Sequence, residues 1–196
     1  MAGANYTIFV RLTSENLVAF PGFSDIIKLS KERKAKLMDF KVSPKIIKPL
    51  NQWLKRYGFE AECVYRKNGV FQYDPSSDII TIPGNYNGDD YDSLFMKFLR
   101  SHGLISDFDA ITLSLLHELG HSQTQSLMTD EESEECDVVK AVYSMTIDED
   151  SDDFQLKYWE VTDEFMANTW AIMYANCFRN KVQNLENIFE KYVKFG

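Results

Sequence analysis

The chain has 196 residues, 44% of them hydrophobic and 14% aromatic, and a formal net charge of −9. That is long enough for a single domain spanning 1–196 with a sizeable core, and no run of about 18 apolar residues is present to cross a membrane. The opening MAGANYTIFVRLTSENL lacks a basic segment followed by an apolar one, so no signal peptide is expected. Cys63, Cys136 and Cys177 are odd in number, widely spaced and free of any CxxC, which fits a reduced, cytoplasmic protein better than a disulfide scaffold.

The charge is uneven. Eleven of the 30 acidic residues lie between Asp130 and Asp153, with Lys140 the one base among them, and the remainder holds 19 acids against 20 bases. Residues 129–153 therefore read as an acidic insertion, expected as a solvated, mobile loop, or as an acidic rim that pairs with the basic N-terminal half or attracts a basic partner. An acidic chain without a basic–aromatic stripe gives no reason to expect nucleic-acid binding.

Residues 1–42 are hard to assign, apart from a short basic helix expected over 30–40 (SKERKAKLMDF) with a Ser cap. SPKIIKPLNQWLKRYG, 43–58, predicts a helix with Ile46, Ile47, Leu50, Trp53 and Leu54 on its apolar face. Gly58 stops it, and Pro49 either kinks it or marks its true start. FEAECVYR, VFQYD and DIITIPG, separated by turn signals, predict a three-stranded antiparallel meander. NYNGDDYD (85–92) reads as loop and SLFMKFLRSHG (93–103) as helix. A helix capped by Asp107 or Asp109 and running to about Ser126 buries Ile111, Leu115, Leu116 and Leu119. One long helix from about Phe154 to Cys177 and another over 181–192 complete the chain.

The chemistry concentrates in TLSLLHELGHSQTQSL, 112–127. Two of the three histidines, His117 and His121, stand four residues apart and therefore one turn apart on one helix face. Imidazoles at that spacing can share one tetrahedral zinc ion. Glu118 points to the edge of such a site, where a carboxylate can take a proton from a metal-activated water. Gly120 costs about 1 kcal/mol of helix propensity, which implies a close-packing role.

Two histidines do not complete a zinc site. HExxHxxGxxH is excluded, because Thr124 and Leu127 stand where its Gly and His would be. A carboxylate, Cys63 or His102 remains. Glu164 is the most persuasive, because Ala167, Asn168, Ala171 and Ala175 share its helix face, and that small, polar face suits a helix lying close to the metal helix. Asn168 could orient a ligand histidine by a hydrogen bond. Asp163, Glu160 and the acidic run are the fallback ligands, and His102, beside Gly103, reads first as a helix-end residue.

HELGH followed by E-x-x-A-N-x-W-A (Glu164, Ala167, Asn168, Trp170, Ala171) resembles the ImmA/IrrE-type zinc metallopeptidases of bacteria and their mobile elements, as does YDPSSDIITIPG upstream of the metal helix. Met166 replaces a second acid of that family's pattern, the 122–163 stretch is longer than usual, and the sequence offers no convincing helix-turn-helix pattern, so transcriptional control is not carried over. Across residues 43–175 the resemblance implies an α+β, zincin-like fold of the gluzincin type. It further implies His117, His121 and Glu164 as Zn2+ ligands, Glu118 as general base and acid, and a protein or peptide substrate. Tyr143, Tyr158, Tyr174 and His102 are the candidates for stabilising an oxyanion. Asp78 to Ile82 is the expected sheet edge for an extended substrate, and the acidic segment, joining the two ligand helices, is expected to gate the cleft or select basic substrates. Two other readings compete: a zinc-stabilised interaction module without turnover, and a deformylase-like hydrolase with Cys63 as the third ligand.

Overall fold

The computed structural model describes residues 39–149 and 151–195, all of them within one compact unit. The helix expected over 30–40 falls outside these residues except for Asp39 and Phe40, which open a strand. The architecture is α+β and mostly helical, with two small sheets. Strands β1 (Asp39–Val42), β5 (Asn85–Asn87) and β6 (Val193–Phe195) form one sheet in the antiparallel order β5-β1-β6. Strands β2 (Glu62–Arg66), β3 (Gln72–Asp74) and β4 (Ile79–Pro83) form the other.

Helix α1 (Ile47–Arg56) follows a 3-10 turn at Pro44–Ile46. Pro49 stands in its first turn, where no intrahelical partner awaits its missing N–H, so it marks the start and makes no kink. Gly58 ends it at φ +84, a left-handed conformation that suits glycine. Trp53 reaches across the core to donate its indole N–H to the Lys181 carbonyl at 2.9 Å.

The second sheet is not the expected meander. Its order is β2-β4-β3, with β4 parallel to β2 and antiparallel to β3. The physical reason lies in the side chains. Ile80 and Ile82 of β4 are fully buried, so an apolar run takes the centre, whereas the polar Gln72-Tyr73-Asp74 takes an edge. The expected edge, 78–82, is therefore the middle strand, and the edge turned toward the helix that carries HELGH is β3.

Helix α2 (Gly88–Ser101) starts inside the stretch expected as loop, directly after β5. Helix α3 (Ala110–Thr124) is buried continuously from Ala110 to Gly120, which makes it the central helix rather than a surface one. The acidic segment is not a loop: Asp130–Thr146 is helix α4. Thr129 and Glu132 form a capping box, with the Glu132 N–H on the Thr129 hydroxyl at 3.2 Å and the Thr129 N–H on the Glu132 carboxylate at 2.8 Å. Asp130, Glu131 and Glu132 add favourable charge at that N-terminus.

The helix expected over 154–177 is two helices, α5 (Asp152–Trp159) and α6 (Thr162–Cys177). Val161 is extended between them, and buried Trp159 and Val161 pin the corner. Helix α7 (Arg179–Tyr192) leads into β6. No helix among the described residues is long and apolar enough to cross a membrane.

The tightest packing joins α3 and α6. A Cβ on Gly120 would lie 2.6 Å from the Ala167 carbonyl oxygen and 2.9 Å from its Cα. Ala167, Ala171 and Ala175 are essentially inaccessible, as the small-residue face requires. Gly120→Ala sets a helix-propensity gain of about 1 kcal/mol against an overpacking cost of about 1–3 kcal/mol. The obstacle is backbone, so the cost wins. Thermal melting should show a lower Tm, by roughly 2–4 °C per kcal/mol at this size; an unchanged or higher Tm would mean that the helices separate freely.

Candidate metal centre

Helix α3 carries His117 and His121 on one face, their ring centroids 4.7 Å apart and their planes at 84°. His117 is buried and His121 half-buried. The His117 Nδ1 lies 2.9 Å from the Asn168 Oδ1. An amide oxygen only accepts, so Nδ1 carries the proton and the lone pair of Nε2 points inward. That Nε2 lies 3.2 Å from the Nε2 of His121.

Glu164, in the first turn of α6, completes the cluster. Its Oε2 lies 3.1 Å from His117 Nε2 and 3.4 Å from His121 Nε2. Ligand bonds of about 2.0–2.1 Å in a tetrahedron around zinc set ligand atoms about 3.3 Å apart. The three observed separations match that edge, so the donor set fits such an ion in type and in spacing. The Glu118 carboxylate lies within 4.8 Å of ligand atoms of both histidines. The backbone N–H of Tyr73, on edge strand β3, lies near that carboxylate and favours its charged form.

Burial dominates the electrostatics. It pushes the Glu118 carboxyl up, and the two histidines and the Tyr73 N–H offset this only in part. Burial acts on Glu164 in the same direction, but hydrogen bonds and charge from His117 and His121 hold it well below the ordinary carboxylate range. His117 is pulled down by burial and raised more by Glu164, Glu118 and Asn168.

The other expected site residues divide. Tyr158 is brought to the cluster: burial and the Glu164 carboxylate push its phenol up to about 12, so it remains a hydroxyl donor. Tyr143 is not; its ring meets Lys157 at 6.0 Å. Tyr174 packs among Phe59, Trp170 and Phe178. His102 donates from Nδ1 to the Phe98 carbonyl at 3.0 Å at the end of α2, with Glu160 3.9 Å from its other nitrogen. Cys63 is buried on β2, at the edge opposite β3, and burial pushes its thiol up to about 12.

Among the described residues, two groups bring three metal-ligating atoms together: His117, Glu118 and His121; and His121, Asp163 and Glu164. Neither includes Cys63, His102, Glu160 or an acid of α4. Sequence reasoning missed Lys140, whose Nζ lies 2.6 Å from Glu164 Oε1 and 2.5 Å from Asp163 Oδ2. The available signal was a lone base in an acidic helix. It also missed Tyr73, which acts through its backbone and leaves no side-chain signature.

Asn168→Ala removes the acceptor that fixes the His117 tautomer. Zinc affinity, measured by competition with a chromophoric chelator, should fall about 10- to 100-fold. An unchanged affinity would show that Asn168 only packs.

No protein-family model, curated protein or solved structure matches this chain.

Proposed function

We propose that this protein is a zinc-dependent metallopeptidase of the gluzincin type, akin to the ImmA/IrrE-type enzymes, acting on a protein or peptide substrate. The observation that carries this reading is the convergence of His117 Nε2, His121 Nε2 and Glu164 Oε2 at 3.1–3.4 Å, with the Glu118 carboxylate beside them. A zinc ion held there would supply Lewis acidity and lower the pKa of a bound water to about 7.

The residues of the chain divide the remaining work. Glu118 takes a proton from the attacking water and passes it to the leaving amine, and its raised carboxyl pKa suits both steps. Asn168 keeps the His117 Nε2 lone pair aimed inward. The Tyr158 hydroxyl, against Glu164, is positioned to donate to a developing oxyanion. Strand β3 offers an open edge beside Glu118 for an extended peptide.

Elemental mass spectrometry should find about one zinc per wild-type chain and far less in Glu164→Ala, as expected for loss of one of three protein ligands. Glu118→Gln should keep its zinc. Incubated with a pool of peptides, it should generate at least about 100-fold fewer new termini than wild type. Zinc without cleavage in the wild type would instead indicate an interaction module, and no zinc in any form would remove the metal reading.

Tyr158→Phe should lower kcat by about 10²–10³-fold with zinc content unchanged. A KM effect alone would assign Tyr158 to substrate contact.

A further inference from the structure

Helix α4 is acidic along its exposed surface, yet its one base points inward. Lys140 is half-buried, and its ammonium lies between two carboxylates of α6, 2.6 Å from Glu164 Oε1 and 2.5 Å from Asp163 Oδ2, and 5.0 Å from the centroid of the Tyr158 ring. The two oxygens of Glu164 thus have separate partners: Oε2 faces both histidines, and Oε1 faces Lys140. Asp163 is held at both oxygens as well, Oδ1 accepting the Glu164 backbone N–H at 2.9 Å and Oδ2 facing Lys140.

Asp163 is nevertheless near enough to ligate. Its carboxylate lies within 4.8 Å of the ligand atoms of His121 and Glu164. Without a cation on Oδ2, an aspartate at that distance would compete for a metal ion held by His121 and Glu164, and Glu164 would be free to offer both oxygens.

We infer that Lys140 is a positioning residue that sets the composition of the metal site. It restricts Glu164 to one oxygen and withholds Asp163, so that the ligand set is His117, His121 and Glu164 with a position left for water. This inference rests on the metal reading of the cluster. A tie that merely anchored α4 to α6 would need only one of the two carboxylates, and it would have no effect on the number of atoms bound to a metal.

Cobalt(II), loaded in place of zinc, reports coordination number through its visible bands, which are intense for four ligands and weak for five or six. Wild type, Asp163→Asn and Lys140→Arg should give the same intense spectrum. Lys140→Met should lose at least half of that intensity, and adding Asp163→Asn to it should restore most of the loss. A Lys140→Met spectrum superimposable on wild type, even with a lowered Tm, would overturn the inference and leave the metal site standing. Wild-type protein that takes up no cobalt would overturn the metal reading and this inference with it. Lys140→Gln, which keeps a donor without the charge, provides the same comparison if Lys140→Met does not fold.

Discussion

The approach of two helix backbones at Gly120 and Ala167 is the constraint on which the site depends. A single added methyl at Gly120 would stand 2.6 Å from a carbonyl oxygen. The chemistry is arranged around that point with the same offsets on both helices. His117 and His121 lie three residues before and one after Gly120; Glu164 and Asn168 lie three before and one after Ala167. Residues four apart share a helix face, so each helix presents one pair that straddles the contact. The pairs meet because nothing larger than hydrogen and methyl separates the axes. A bulky residue at either centre would displace all four groups together.

Such an approach buries charge. Glu118, Glu164 and His117 are each less than 9% exposed, and Asn168 is inaccessible. Buried carboxylates are costly unless paired and hydrogen-bonded. Their pairing is only partial. With both imidazoles neutral, Glu118, Asp163 and Glu164 oppose Lys140 alone and leave two negative charges. A divalent cation would neutralise this excess. A cluster meant only to hold helices together would be better served by apolar side chains of similar volume. The excess of acids over bases, in a place where excess is expensive, is what the proposed metal site would account for.

How much of this was legible in the sequence depended on how local the signal was. HELGH fixes its own geometry, because helical spacing alone brings the two histidines together. The pairing with Glu164 and Asn168 could be read because the small residues of the second helix make sense only against a close neighbour. The strand order could not be read from alternation and turns, which suggest a meander; the burial of Ile80 and Ile82 against the polarity of Gln72 and Asp74 held the better clue. Acidic composition concealed helix α4 although Thr129 and Glu132 spelled out its cap. The break between α5 and α6 was hidden by continuous helical character, since it is the burial of Trp159 and Val161 that turns the chain. Lys140 stood out in the sequence only as the lone base among acids, and its partners could not be read in one dimension because they belong to another helix.

The same packing decides from which side the cluster can be reached. Helix α4 closes one flank, where Lys140 covers Glu164 and Asp163. Of the two histidines, the His121 side chain is the more open, 17% exposed against 7% for His117. Ser122, the next residue, donates to Asp78 at 3.1 Å, and with Tyr73, Gly58, Glu60 and Gln123 these residues line a polar cleft of about 330 Å³. Strand β3 thus borders both the cleft and Glu118. One of its edges is taken by β4, and the Tyr73 N–H on the other already points at the Glu118 carboxylate. For the peptidase proposed above, a peptide entering along that edge would run beside Glu118, the proposed base, before reaching the histidines. This order suits a reaction in which the base must be placed before the carbonyl is attacked.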